Sequence, residues 1–597
     1  MKRLIAIILL PLLSGMSQTP SIETIYNNQK ASLDSSRLLF VTHPSDSSHI
    51  NMATSRFGAW VRDTSAKVTV QGREMTVWPS GAVADMIELE PGWNTIPFFV
   101  ESNQGVEETL IHVFRKPPRE VLPAIPTKIL DSLMVPESHQ TFYGENSIFV
   151  SFTGSPGGTA SFSVKGLTPK PLPMKETFAG HYVGELRIHE IDQVKNKRVE
   201  YRLKGEKGWR KKRASTGTIT VVPDYQPHLV KTNEDHTLIH FGMNGEIFMD
   251  LPKDIELKVK ADFGEWLYVE AAPGHSGYVR KNSIQNADDG ELMDKAAIYS
   301  ISSEEDSQWV YIQFNITGKV PFDITNHLDP SRVSLTLFRT YFQDEWTTYP
   351  VNQEVLDYLD WVQLDDSTIR FDFVLSHEQS WGYYGTYKQG KFVLAIRKPP
   401  VLDRENPLNG LTIAIDAGHG GDHKGAVGAT GLMEKDANLV YSYYLKELLE
   451  KEGAAIVMTR PDDRTMGLAE RMDIAVAENA QLFMWMHNNS TGLQRHPDSI
   501  MGTSVYYKPV QSMAFARSIY PHLKDLGLDA EGFVHRSYYM TRQTYMPVIL
   551  VEGAFLSNPQ DEMFLMKDEN LKQLAQAVAA GLKERLMSIQ SVKDNRD

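Results

Sequence analysis

The pattern of apolar residues along this chain changes near residue 411. Before it, the apolar segments are short, rich in β-branched and aromatic residues, and separated by turn-forming residues, which predicts strands. After it, strand-like runs alternate with segments of helical apolar spacing, such as residues 436–452, which end at Gly453. This alternation predicts a multidomain chain: all-β N-terminal modules followed by a C-terminal α/β domain with a mainly parallel sheet.

Length, charge and cysteine content narrow the functional classes. A chain of 597 residues is too long for one hydrophobic core, so we expect roughly three to five folded units. A formal net charge of -14 argues against nucleic acid as a partner. Because cysteine is absent, disulfides and cysteine-based zinc sites are excluded, and any metal must be held by His, Asp or Glu.

The first residues have the layout of a secretory signal peptide. Lys2 and Arg3 precede an apolar run from Leu4 to Leu13, which small residues follow. A bilayer span needs about 20 apolar residues, so this run predicts a cleaved signal peptide over residues 1–18 and no permanent membrane anchor. We expect a periplasmic or secreted protein.

Four β-rich units are predicted between this segment and residue 400, with proline-rich joints near residues 115–118 and 397–400. Their strand and turn patterns resemble small modules of secreted bacterial enzymes. The assignments are an Ig-like β-sandwich over 21–118, a second β-sandwich over 128–223, an SH3-like barrel over 224–286 and an AMIN-like β-sandwich over 288–398. The last two resemblances imply docking to cell-wall polymer.

Three predicted strands of the α/β domain end in an ionisable residue. His419 follows the strand at 411–415, His487 closes the strand at 482–486, and Glu552 closes the strand at 548–551. Ligands of such sheets gather beyond the carboxyl ends of the strands. A fourth candidate, Glu434, lies at the start of the first predicted helix, and the glycines that flank His419 are expected to leave room for an ion or substrate.

Two histidines and a carboxylate form a common catalytic zinc set, and a further carboxylate can serve as general base. A strand followed by Gly-His-Gly-Gly is also compatible with an ordinary tight loop. The spacing alone does not say which of Glu434 and Glu552 is the ligand and which is the base.

Several separated motifs decide between these possibilities by resemblance. They are IDAGHGG at 415–421, GLMEKDANL at 431–439, TRPDD at 459–463, LAER at 468–471, MHNN at 486–489 and VEGAFLSN at 551–558. Together they resemble the zinc-dependent N-acetylmuramoyl-L-alanine amidases of the Amidase_3 family, over a catalytic domain at 405–590.

The resemblance implies a Zn²⁺ site formed by His419, Glu434 and His487, with Glu552 as the catalytic base. It implies hydrolysis of the amide between N-acetylmuramic acid and the L-alanine of the stem peptide, with peptidoglycan as substrate. Asp416 is expected either to orient a ligand histidine or to cap the glycine loop.

Two other functions remain open on the sequence: a catalytically silent wall-binding scaffold, and a zinc peptidase that cuts within the stem peptide. The sequence also leaves open whether a partner protein activates the enzyme.

Overall fold

A computed structural model describes residues 19–117, 121–205, 207–225, 228–288, 293–343, 354–529 and 531–594. The predicted signal peptide over residues 1–18 lies outside this part of the chain. Within the described part, no helix combines the length and the apolar character that a membrane crossing requires.

The N-terminal unit, residues 19–117, contains two sheets that share one apolar core. In spatial order the first is Leu39–His43, Thr54–Val61 and Ala82–Glu88; the second is Ser48–Ile50, Gly105–Arg115, Gly92–Ser102, Lys67–Val70 and Arg73–Met75.

The first element of this unit departs from the prediction of strands throughout. Residues Ile22–Ala31 form a helix, α1, and the hydroxyl of Ser21 caps it by accepting a hydrogen bond from the Thr24 amide at 3.2 Å. Ile22, Ile25 and Tyr26 recur at helical spacing and pack against the core of the C-terminal domain. The segment is helical because its apolar face is buried by a distant part of the chain.

The next two predicted units share a sheet across the boundary drawn at residues 223 and 224. One sheet, in order, is Arg210–Ala214, Val199–Lys204, Thr159–Val164, Leu172–Phe178, His181–Ile188, Asn146–Gly154 and Ile129–Val135. The other is Val194–Lys197, Ile219–Val222, Gln140–Tyr143, Glu256–Asp262, Trp266–Ala272, His275–Arg280, Thr237–His240 and Ile247–Leu251. His228–Thr232 joins this sheet through Glu256–Asp262 and also pairs with Ile284–Asn286, which follows a 3₁₀ turn at Lys281–Ser283.

The fourth unit again has two sheets over one core. Their strands are Thr340–Phe342, Ala296–Glu305, Trp309–Ile316, Lys391–Arg397 and Tyr383–Lys388, and Phe322–Leu328, Ser331–Phe338, Thr368–Leu375 and Leu356–Asp365. The described chain is therefore mainly β before its C-terminal region, as predicted. The Ig-like, SH3-like and AMIN-like assignments stay predictions.

The C-terminal domain is α/β, as predicted. Its sheet, in order, is Ala455–Met458, Thr412–Ala417, Leu482–Asn489, Val548–Phe555, Ser504–Tyr507 and Gly532–His535. The first four strands are parallel, and Ser504–Tyr507 runs antiparallel to Val548–Phe555. The helices are α2 (Glu434–Lys451), α3 (Leu468–Ala477), α4 (Met513–Lys524), α5 (Pro559–Leu565) and α6 (Asp568–Asp594), with 3₁₀ turns at Pro497–Ser499 and Val510–Ser512.

Both faces of this sheet are covered. Apolar residues of α2, α4, α5 and α6 pack on one face, and residues of α3 pack on the other. The parallel register places Ala417 beside Met486 and His487 beside Glu552, so the carboxyl ends of three strands meet at one edge of the sheet. That edge is where the predicted site residues lie.

Candidate metal centre at the sheet edge

His419 lies just beyond the strand Thr412–Ala417 and has a left-handed backbone, with φ 63°. This conformation is uncommon for a residue other than glycine, so its surroundings must enforce it. Arg471 donates to the His419 carbonyl oxygen at 2.7 Å and to the Ala417 carbonyl oxygen at 2.9 Å. These bonds hold the strained turn that carries the imidazole.

Glu434 is the first residue of α2 and joins the two histidines. Its Oε2 lies 3.0 Å from His419 Nε2, and its Oε1 lies 2.8 Å from His487 Nδ1. Burial disfavours the Glu434 carboxylate, but hydrogen bonds from both histidines and their charges outweigh that effect and hold its pKa below the ordinary value. The cluster thus favours an ionised ligand at its centre.

The geometry of the cluster suits a small divalent cation. One ligand-type atom from each of His419, Glu434 and His487 lies within 4.8 Å of the others. Tetrahedral zinc with ligands at about 2.1 Å separates neighbouring ligand atoms by about 3.4 Å. At His487 the ring nitrogen that faces Glu434 is Nδ1, at 2.8 Å from Oε1, so Nδ1 is the atom placed to bind a metal. The three side chains therefore fit Zn²⁺.

Glu552 lies on the strand Val548–Phe555, directly across the ladder from His487. Its Oε2 is buried and has no hydrogen-bond partner in the described part of the protein. Burial, followed by the charges of Glu434 and Glu531, raises its pKa well above the ordinary value. The structure thus brings together His419, Glu434, His487 and Glu552, the four residues predicted from the sequence. The two histidines contact Glu434, whereas Glu552 makes no hydrogen bond to Glu434.

Two asparagines that were not predicted as site residues fix the position of Glu434 by hydrogen bonds. Asn438 Nδ2 donates to Glu434 Oε1 at 3.2 Å and to the Gly418 carbonyl oxygen at 3.1 Å. Asn488 Nδ2 donates to Asn438 Oδ1 at 2.8 Å. Asn438 is one helical turn after Glu434, a spacing that places both on one face of α2 and that was available in the sequence.

Asp416 neither contacts a ligand histidine through its side chain nor caps the glycine loop. It is fully buried and accepts from Arg471 Nη1 at 2.8 Å and from the Thr459 hydroxyl. Arg471 in turn bonds the His419 carbonyl oxygen, so Asp416 supports the turn indirectly.

The glycines around His419 make room for protein atoms rather than for substrate. A Cβ on Gly418 would lie 2.0 Å from His487 Nε2, and one on Gly420 would lie 2.4 Å from the Arg464 carbonyl oxygen. A Cβ on Gly421 would lie 2.2 Å from Thr465 Oγ1. The expectation of open space for substrate at these glycines is therefore replaced by close packing against His487 and the loop at 464–465.

Comparison with known proteins identifies the family of the C-terminal α/β domain. The family model for N-acetylmuramoyl-L-alanine amidase matches residues 413–584. The YqiI protein of Bacillus subtilis is 36% identical over 194 residues, which cover 32% of this chain and 91% of that protein. The chain belongs to the N-acetylmuramoyl-L-alanine amidase family. The family match covers the α/β domain, hereafter the amidase domain, and leaves the β-rich units outside it.

Two other proteins are similar to roughly a third of the chain. The probable cell wall amidase LytH of Staphylococcus aureus is 31% identical over 226 residues, covering 37% of this chain and 70% of that protein. The solved structure of the N-acetylmuramoyl-L-alanine amidase AmiC2 of Nostoc punctiforme has 33% identity and a TM-score of 0.28, and the match covers 29% of this chain and 96% of that one.

Proposed function

We propose that the protein is a zinc-dependent peptidoglycan hydrolase that cleaves the amide between the lactyl group of N-acetylmuramic acid and the L-alanine of the stem peptide. His419, Glu434 and His487 hold the metal, and Glu552 is the general base. The proposal rests on one observation: a buried Glu552 carboxylate oxygen, which has no hydrogen-bond partner among the described residues, lies on the strand beside His487.

In this proposal each residue of the site has a separate role in binding the metal or transferring the proton. The carboxylate oxygens of Glu434 lie 3.0 Å from His419 Nε2 and 2.8 Å from His487 Nδ1, so the three side chains converge where the metal would bind, and Asn438 holds one of these oxygens. His419, Glu434 and His487 would hold the Zn²⁺ ion, which when bound would supply Lewis-acid polarisation of the amide carbonyl, a water of pKa about 7, and positive charge that favours ionised Glu552. Glu552 Oε2 accepts the proton of the attacking water and returns it to the leaving amine of L-alanine.

The substrate is inferred from the family and from its relatives. The family description specifies the muramoyl-alanine amide, and LytH is named a probable cell wall amidase. A cell-wall substrate agrees with an exported protein, located in the periplasm or outside the cell. The SH3-like and AMIN-like units, if they bind wall polymer, hold the amidase domain near its substrate.

Digestion of purified peptidoglycan tests the proposal. Wild-type protein is compared with Glu552→Ala, with EDTA-treated protein, and with the exposed-glutamate control Glu470→Ala. We expect both Glu552→Ala and chelation to abolish release, added Zn²⁺ to restore only the chelated enzyme, and Glu552→Ala to retain bound zinc. Near-normal activity of Glu552→Ala would show that the base is another group.

A further inference from the structure

The N-terminal unit, residues 19–117, contacts the amidase domain close to two of the candidate metal ligands. Its α1 completes the amidase core with the fully buried Ile22. Ser21 Oγ and the Ile22 amide donate to the Asp568 carboxylate at 2.6 and 2.9 Å. The unit is thus docked by both apolar and polar contacts.

The first contact region is the loop that leads into Glu434. Lys30 Nζ donates to the Thr430 carbonyl oxygen, and Thr42 Oγ1 donates to the Ala429 carbonyl oxygen at 3.3 Å. On the other side of this loop, Glu562 accepts from the Thr430 amide at 2.9 Å. The turn four residues before Glu434 is therefore held between the N-terminal unit and α5.

The second contact region is the loop that follows His487. Arg56 Nη1 donates to Thr491 Oγ1 at 2.8 Å and to the Thr491 carbonyl oxygen at 3.2 Å. The Arg56 amide also donates to the Leu493 carbonyl oxygen at 2.6 Å. Thr491 is four residues after His487, and its amide donates to Ser557 Oγ at 3.0 Å.

Burial of the Arg56 guanidinium at this contact lowers the stability of the folded protein unless other interactions offset the lost hydration. It is 5% exposed, and within the described part of the chain no carboxylate lies within 4.0 Å of its guanidinium. A charge buried against neutral oxygens costs stability unless its hydrogen bonds replace those lost to water. An apolar residue would pack the same surface at lower cost, so the bonds to the loop suggest a role in local geometry.

We propose that the N-terminal unit is a structural part of the active site, in which Arg56 is a positioning residue for the loop after His487. This inference rests on the proposed function, and it differs from a wall-docking role for the unit. A docking module would affect only substrates in the intact wall, whereas a positioning unit affects every substrate.

Point variants of the full chain test this proposal. Arg56→Ala removes the guanidinium, Arg56→Lys keeps the charge but loses the planar fork, and Arg115→Ala is the matched control. Arg115 belongs to the same unit but donates to the Leu89 carbonyl oxygen within it.

We expect Arg56→Ala to lower kcat/KM on a soluble muramyl peptide by about tenfold or more, mainly through kcat, while binding to intact sacculi is unchanged. Arg56→Lys should recover part of this loss, and Arg115→Ala should match wild type. Wild-type kcat/KM on the soluble substrate, or a loss confined to sacculi, would overturn the proposal.

Two further readouts do not depend on amidase activity. In Arg56→Ala, amide hydrogen exchange over residues 488–493 should accelerate, and the Kd for Zn²⁺, measured by chelator competition, should rise several-fold. If the wild-type protein cleaves no muramyl peptide, the proposed function fails, but these two measurements still decide the positioning role. Unchanged exchange and unchanged Kd would reject it.

Discussion

At the scale of single residues, the candidate metal centre depends on buried side chains that come from distant parts of the chain. The sequence predicts a site at His419, Glu434, His487 and Glu552 because each lies at the end of a predicted strand or the start of a predicted helix, and their catalytic roles stay predictions. Arg56 could not be found in this way, because it lies more than 400 residues from Thr491 in the chain and only the folded structure brings them together. The glycines next to His419 were recognised, but the sequence could not show which atoms fill the space they leave.

Gly418 tests whether close packing against His487 matters. Its backbone is not left-handed, so alanine is allowed there, but the added Cβ would meet three atoms of the His487 ring at 2.0–2.4 Å. We expect Gly418→Ala to raise the Kd for Zn²⁺ at least tenfold because the imidazole must move. Gly467→Ala, whose Cβ would meet no atom within 4 Å, should leave the Kd unchanged. Equal affinities for the two variants would contradict the packing described.

Glu562 predicts a pH dependence of stability. Burial raises its pKa to about 7, whereas the unfolded chain keeps the ordinary value of 4.5. The contribution of Glu562 to the free energy of unfolding is therefore fully present below pH 4.5. It declines as pH rises toward 7, by up to roughly 3 kcal/mol. The reason is that the unfolded carboxyl ionises first.

The isosteric variant Glu562→Gln removes this titration. Over pH 4.5 to 7, in which Lys30 with a pKa of about 7 stays mostly charged, the variant should gain stability relative to wild type as pH rises. Thermal unfolding at several pH values measures the difference. A difference that does not change with pH would exclude the titration of Glu562 as its source.

At the scale of elements, the site depends on where helices and loops begin. Glu434 starts α2, so the helix direction fixes its carboxylate at the carboxyl edge of the sheet. The sequence predicted this helix and its neighbours because their apolar periodicity is regular. It did not predict α1, since that short segment precedes strands and buries Ile22 in a domain hundreds of residues away.

Asn438 tests the contribution of α2 to the metal centre. Asn438→Ala removes the bonds to Glu434 Oε1 and to the Gly418 carbonyl oxygen. We expect the Kd for Zn²⁺ to rise about 10- to 100-fold, which is typical when a group that orients a ligand is lost. Ser442→Ala is the matched control on the same helix, because the Ser442 hydroxyl is buried without a partner in the described structure. A similar Kd for both variants would show that Asn438 does not orient Glu434 for metal binding.

At the scale of the whole molecule, the N-terminal and fourth β-rich units pack directly against the amidase domain. Ile22 from the N-terminal unit and Trp381 from the fourth unit are both buried in the amidase core. Arg397 of the fourth unit also donates to the carbonyl oxygens of Ala480 and Asn479, the latter at 2.6 Å. Local sequence patterns give no indication of such contacts, because they join segments that are far apart in the chain.

Ile22 tests this integration. Ile22→Ala leaves a cavity between α1 and the amidase core, so we expect the unfolding transition of the amidase domain to lose about 2 to 4 kcal/mol. Thr24→Ala, an exposed position on the same helix, should change stability by less than about 0.5 kcal/mol. Chemical denaturation, monitored by hydrogen exchange of the amides in α2, measures the stability change of each variant. An undisturbed transition in Ile22→Ala would mean that α1 does not stabilise the amidase core.

Mass spectrometry of the reaction products decides whether the intact molecule hydrolyses the muramoyl-alanine amide. A soluble N-acetylmuramoyl peptide is incubated with the zinc-loaded full chain. The predicted products are N-acetylmuramic acid with a free lactyl carboxylate and an intact stem peptide with a new L-alanine amino terminus. A shortened peptide with the sugar still attached to L-alanine, or no product at all, would exclude hydrolysis of this amide by the protein.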